Sequence, residues 1–111
     1  MSRRLIRIPA AAGQEMDPGV FLSQLDPAAC CAGPVPFQCS MFTVAPESRT
    51  GVDRHAAREC WFIAQGRGVV SVDGGAELVQ AGDAFLFDGG VGHSIENTGR
   101  QALLVISVWW S

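Results

Sequence analysis

The sequence predicts an all-β chain folded as a small double-sheet jelly-roll β-barrel. Short β-favouring runs follow one another at near-regular spacing, glycine-containing turns punctuate them, and the last run, 101–110, is almost wholly apolar. With 111 residues, one domain is expected, able to bury roughly two thirds of the surface its unfolded chain would expose. Hydrophobic residues make up 48% of the chain, yet no apolar run approaches the ~20 residues of a membrane span. The apolar content therefore belongs to a core.

Taken in order, residues 4–8 read as a first strand and residues 20–25 as a strand or irregular edge ended by Asp26-Pro27. Residues 28–36 carry Cys30, Cys31 and the turn formers Gly33, Pro34 and Pro36. They read as a loop, either a plain connector or a cover for one mouth of a barrel. Residues 37–44 are strand-like. Alternation puts Phe37, Cys39 and Met41 on one face, read as interior, and Gln38 and Ser40 on the other, until Phe42 breaks the pattern. A polar loop follows over 45–51. Residues 69–72 form a strand, Asp73-Gly74 is the strongest hairpin signal in the chain, and 76–80 returns, read as a β-meander. Ala81-Gly82-Asp83 turns into a buried strand over 84–87. Asp88-Gly89-Gly90 is a loop before the strand 91–97, and Thr98-Gly99-Arg100 turns once more. The run 101–110 suits a strand packed on both sides or lying in a subunit contact. Trp109 and Trp110 must face opposite ways, so at most one enters a barrel. A homodimer would cover the other. There is no internal repeat and no linker. The segment 1–36 supplies N-terminal strands and a loop, and 37–110 the barrel proper, within a single domain spanning 1–111.

Composition excludes several function classes. The net charge is -3 with no basic block, so no electrostatic footprint for nucleic acid is visible. Leu5-Ile6-Arg7-Ile8 before Pro9 is too short for a secretory signal, and a soluble cytoplasmic protein without membrane contact is expected. Cys30, Cys31, Cys39 and Cys60 show no C-x-x-C spacing and read as free thiols. All eight basic residues are arginine, so no lysine can form a Schiff base, and the absence of tyrosine removes a tyrosyl general acid.

Chemistry concentrates in residues 53–66, DRHAARECWFIAQG, which hold His55 and Glu59; the second of the chain's two histidines is His93. On a straight strand, positions 55 and 59 would stand roughly 13 Å apart, too far to share one ion. The chain must coil or reverse between them. Ala56, Ala57 and Arg58 are good helix formers, and a surface helix with a solvated His55–Glu59 pair is one reading. The run Cys60-Trp61-Phe62-Ile63, closed by Gly66 and Gly68, favours the other, a strand entered through a sharp corner at 56–58.

The stretch 53–66 resembles the first cupin motif: two histidines separated by one residue, a glutamate three or four residues on, and a glycine after six more. His55, Glu59 and Gly66 fit, and Asp53 stands where the first histidine would be. Residues 82–97, GDAFLFDGGVGHSIEN, resemble the second cupin motif, in which Gly82, Gly90, His93 and Asn97 fall in register and Asp88 replaces a proline. The two motifs and the segment between them span 45 of the 111 residues. The resemblance is specific for the fold and says much less about activity.

What it implies is a cupin-type barrel holding one divalent transition metal ion on His55, Glu59 and His93. Zinc or iron head the candidates; manganese, nickel and cobalt are also compatible. Asp53 is either a fourth ligand or a general base beside the ion. Asp88 reads as a turn former with Gly89 rather than a catalytic acid, Asn97 as a backbone-bonding residue, and Trp61, Phe85 and Phe87 as core. The cysteine–tyrosine crosslink of some cupin thiol dioxygenases is excluded by the missing tyrosine. The expected function is a metal-dependent enzyme acting on a small molecule, by non-redox isomerisation, cyclisation or rearrangement in a biosynthetic pathway. An iron-dependent dioxygenase and a non-catalytic cupin that binds a metabolite or partner are the alternatives, with a metal-free structural barrel as the third.

Overall fold

A computed structural model describes residues 5–111. Among the described residues, nine strands pair antiparallel in two sheets: β1 (Gln14–Asp17), β2 (Val20–Leu25), β3 (Gln38–Val44), β4 (Arg58–Gln65), β5 (Arg67–Val72), β6 (Gly75–Gln80), β7 (Ala84–Phe87), β8 (His93–Asn97) and β9 (Leu103–Trp110). The larger sheet runs β1-β2-β3-β9-β4-β7 and the smaller β6-β5-β8. The C-terminal strand thus inserts between β3 and β4. This explains its composition, since a central strand with neighbours on both edges favours β-branched and aromatic residues. Residues 49 and 53 add isolated bridges to Glu96 and His93, which extend the smaller sheet beyond β8.

The core lies between the sheets. Val44, Leu103 and Val105 from the larger sheet are fully buried beside Ile95 of the smaller one, with Trp61, Ile63, Val70 and Phe87 packed around them. Asn97 fastens the lower end: its Nδ2 donates to the carbonyls of Val44 and Gln101, both at 2.8 Å, and its Oδ1 accepts from Gly99 N. That is the backbone-bonding role expected of it.

The double-sheet jelly roll and most strand positions agree with the sequence reading, and several particulars do not. Residue 4 lies outside the described residues, and residues 5–8 are exposed without strand structure; the backbone pairing near Leu25 is made by residues 9–11 instead. The first strand is instead β1, a mostly exposed edge strand with no apolar alternation to announce it. On β3 the interior face is Ser40, Phe42 and Val44, not Phe37, Cys39 and Met41; Phe37 precedes the strand and is exposed. The alternation misled because one polar residue, Ser40, faces inward to line a cavity. The strand over 84–87 is an edge, not a buried strand: Phe87 alone is buried, and Leu86 is 59% exposed. The Asp73-Gly74 hairpin forms with Val72 opposite Gly75, but the meander stops there, because β7 crosses to the other sheet.

On the outer face of the larger sheet, Leu86, Cys60, Val108 and Cys39 align in one row across four strands, and Phe62, Ile106 and Met41 in the next. Phe62 is 45% exposed. Trp109 turns into the cavity, so Trp110 takes the outer face.

Candidate metal centre

The corner expected at residues 56–58 is present. Ala56 and Ala57 bend, and β4 begins at Arg58. Two contacts hold the bend against the loop before β8: Gly90 N donates to His55 O at 2.7 Å, and Gly89 packs so closely that an added Cβ would lie 2.2 Å from Ala56 O. Only glycine fits that approach. Asp88, exposed beside it, accepts from Val91 N through its backbone carbonyl and faces Arg58 at 3.6 Å. Those are the contacts of a turn residue.

The corner delivers His55 beside Glu59 on β4, and the facing sheet delivers His93 at the start of β8. Asp53 is paired through its backbone to His93, with Asp53 N to His93 O at 2.9 Å and His93 N to Asp53 O at 3.0 Å. One ligand atom from each of Asp53, His55, Glu59 and His93 lies within 4.8 Å of all the others. Glu59 Oε1 stands 2.9 Å from His55 Nε2 and 2.8 Å from His93 Nε2, and Asp53 Oδ2 is 3.6 Å from His55 Nε2. His93 and Glu59 are buried, His55 is half-buried, and Asp53 sits at the rim.

The donor chemistry of this cluster fits a cation. His55 Nδ1 lies 3.0 Å from Ala57 O and His93 Nδ1 2.9 Å from Val91 O; a carbonyl can only accept, so each Nδ1 carries the hydrogen. Each neutral ring then presents an unprotonated Nε2 to the same carboxylate oxygen. Lone pairs facing one another at these distances repel unless a proton or a metal ion lies between them. Imidazole nitrogens oriented by backbone carbonyls, together with a carboxylate, are the ligand set of divalent transition metals.

Glu59 divides its two oxygens between two tasks. Oε1 faces the imidazoles, while Oε2 accepts from Trp61 Nε1 at 2.9 Å and from Ser107 Oγ. Burial pushes the Glu59 carboxyl up, but in the metal-free chain, where a proton on Nε2 lets His93 and His55 donate, hydrogen bonds from His93, Ser107, Trp61 and His55 outweigh it and hold it at about 2. For His93, burial acts downward, and the bonds to Glu59 and Val91 O with the charges of Glu59 and Asp53 raise it above its ordinary value. Phe87 stacks on the His93 ring at 4.3 Å and 9°, and Trp61 meets it edge-on at 5.2 Å.

Trp61 and Phe87 are core residues as expected, yet they also position the cluster, and Ser107 was not singled out at all. The signal for Ser107 was a lone polar residue inside the apolar run 101–110. The loop 28–36 does not line the cavity over the cluster; that cavity, of about 720 Å³, is bounded instead by β1 to β4, β8, β9 and residues 50–57. Its walls include Leu22, Gln24, Ser40, Phe42 and Trp109. The four cysteines are free thiols.

Comparison with known proteins places these features in a family. The Cupin domain family model matches residues 40–109. A curated relative, an oxalate-binding protein from Thermotoga maritima, is 38% identical over 64 residues, which is 57% of this chain and 53% of the relative. The chain thus spans about half the length of that protein. A crystal structure from Thermotoga maritima, described as a predicted oxalate decarboxylase, superposes with a TM-score of 0.77 at 25% identity, covering 96% of this chain and 98% of that one. A Cupin 2 conserved barrel domain protein from Salinispora arenicola gives 0.76 at 24% identity, covering 100% and 89%. With most of the barrel matched and a metal-type donor cluster at its centre, the chain belongs to the cupin family.

Proposed function

We propose that the protein is a metal-dependent cupin enzyme acting on a small organic molecule by a non-redox isomerisation, cyclisation or rearrangement. The observation that carries the reading is the convergence of two carbonyl-oriented imidazoles and one carboxylate oxygen at the floor of a cavity. In it, His55, Glu59 and His93 hold one divalent ion, and 1–111 acts as a single domain. Such an ion, when bound, polarises a carbonyl or lowers the pKa of a coordinated water. The chain's own residues do the remainder. Trp61 and Ser107 fix the Glu59 carboxylate, Phe87 keeps water from one face of His93, and the apolar walls shield the reacting group. Asp53, whose side chain is 64% exposed at the rim, is the group placed to take or return a proton.

Elemental analysis of protein purified without added metal tests this. One ion per chain is expected for the wild type and its loss in His93→Ala; no stoichiometric metal in either sinks the proposal. Turnover under argon as well as air supports the non-redox reading, whereas turnover in air alone assigns the site to an iron-dependent oxygenase.

A second reading is favoured by the oxalate-binding name of the curated relative: a non-catalytic cupin that binds a small metabolite. Under it, His55→Ala or Glu59→Ala leaves biological activity intact. The apolar outer face of the larger sheet supports a homodimer in either case. Among the described residues no helix is long and apolar enough to cross a membrane.

A further inference from the structure

The cavity's chemistry points beyond the presence of an ion to the kind of molecule it admits. Its described lining contains no cationic side chain. The chain has no lysine, and the described arginines are placed elsewhere. Arg54, the nearest in sequence, is clamped outward, with Nη2 2.7 Å from Asp73 Oδ1, Nη1 3.2 Å from Asp73 Oδ2 and Nη1 2.6 Å from Gly90 O. Arg58 faces Asp88 outside the barrel, and Arg67 and Arg100 line a separate hollow with Gly66 and Gly99.

Carboxylates take the place of cations. Besides Glu59, the lining includes Asp53 and Asp17, the latter held by Gly51 N at 3.1 Å. A divalent ion is formally neutralised by Glu59 and Asp53, and Asp17 leaves the cavity with a net negative charge. A dianion could approach the ion only against this net like charge, with no arginine or lysine in the lining to offset it.

The remaining walls favour a different guest. Val20, Leu22, Phe42 and Trp109 offer an apolar and aromatic surface. Gln24, exposed at the cavity mouth, donates its Nε2 to Cys39 O at 3.0 Å, which leaves its Oε1 an acceptor with no hydrogen bond among the described residues. That oxygen is open to a donor on a guest as it is to solvent.

We propose that the cavity binds an apolar or aromatic molecule carrying a hydroxyl or amino donor and no carboxylate, and that it discriminates against small dicarboxylates such as oxalate. This rests on the reading that His55, Glu59 and His93 hold a metal ion. Its test is the full chain, first shown by elemental analysis to carry one ion, titrated with 2-phenylethanol, 2-phenylethylamine, phenylacetate and oxalate while quenching of tryptophan emission is followed. The alcohol and amine bind at least about tenfold more tightly than phenylacetate and oxalate. Gln24→Arg, which supplies the missing cation, raises oxalate affinity about tenfold or more. Asp17→Asn, a milder change at the rim, narrows the gap several-fold by removing one negative charge. Tightest binding of oxalate or phenylacetate by the wild type, equal binding of all four probes, or no saturable binding of the alcohol and amine overturns the proposal. A protein without metal overturns the metal reading instead, so the two failures are told apart.

Discussion

Glu59 shows at a single residue how the sequence and the site relate. The spacing of His55, Glu59 and His93 announced a ligand set; nothing in the spacing announced that Oε2 would be tied off by Trp61 and Ser107. Those donors come from an aromatic position and an apolar strand, where sequence patterns register burial and not hydrogen bonding. Residues that orient a ligand typically carry a factor of about 10–100 in metal affinity. Trp61→Phe keeps the ring in the core and removes one donor. Its metal dissociation constant, measured by chelator competition, is expected to rise about tenfold with little change in fold.

The same carboxylate and its imidazole partner set a pH dependence whose sign differs with and without metal. Glu59 is depressed, so its contribution to stability is present above its ordinary value of 4.5 and is lost as the pH falls toward about 2. His93 is raised, so its contribution is complete below 6.5 and is lost as the pH rises through its elevated folded value. The metal-free chain is therefore expected to be most stable between those two ordinary values. Metal requires deprotonated Nε2 atoms, so the stabilisation by metal grows as the pH rises. Thermal unfolding with and without chelator, from about pH 4 to about pH 8, should show the two trends running in opposite directions.

At the level of elements, most strands were legible because turns punctuate them: Asp73-Gly74, Ala81-Gly82-Asp83 and Thr98-Gly99-Arg100 each end a strand close to where their residue types require. What stayed hidden was which way strands face. Residues 37–41 alternate apolar and polar, but the alternation rule assumes that polar residues face out, and here Ser40 faces the cavity beside Phe42. The edge strand β1 carried no signal at all. The corner at 56–58 was legible only by asking how two candidate ligands four residues apart could meet. Its dependence on Gly89 gives a prediction: Gly89→Ala pushes a Cβ into Ala56 O, and the shifted backbone should weaken metal binding about tenfold or more. The cost in stability should be about 1–3 kcal/mol. Chelator competition and denaturant unfolding on the same variant measure the two effects.

For the whole molecule, the core and the outer face make different demands. Leu103, fully buried where β9 passes between β3 and β4, should cost about 2–5 kcal/mol when changed to alanine, read by urea unfolding. The rows formed by Leu86, Cys60 and Val108 and by Phe62 and Ile106 face away from that core. Sedimentation should give a two-chain species for the wild type and a single chain for the Phe62→Arg, Leu86→Arg variant, with metal content unchanged. A single-chain wild type would remove the homodimer. The near-continuous apolar run 101–110 had left both readings open, and its central position in the sheet accounts for it without a partner.

Glu59 stands on β4 of the six-stranded layer, whereas His93 opens β8 of the three-stranded layer. An ion gripped by both is a rivet through the sandwich, placed where the layers would otherwise be free to splay. Its removal should loosen the rim long before the far end, which Asn97 clasps independently. Amide exchange should then quicken around residues 53–59 and 91–94 while the protons near Asn97 keep their pace.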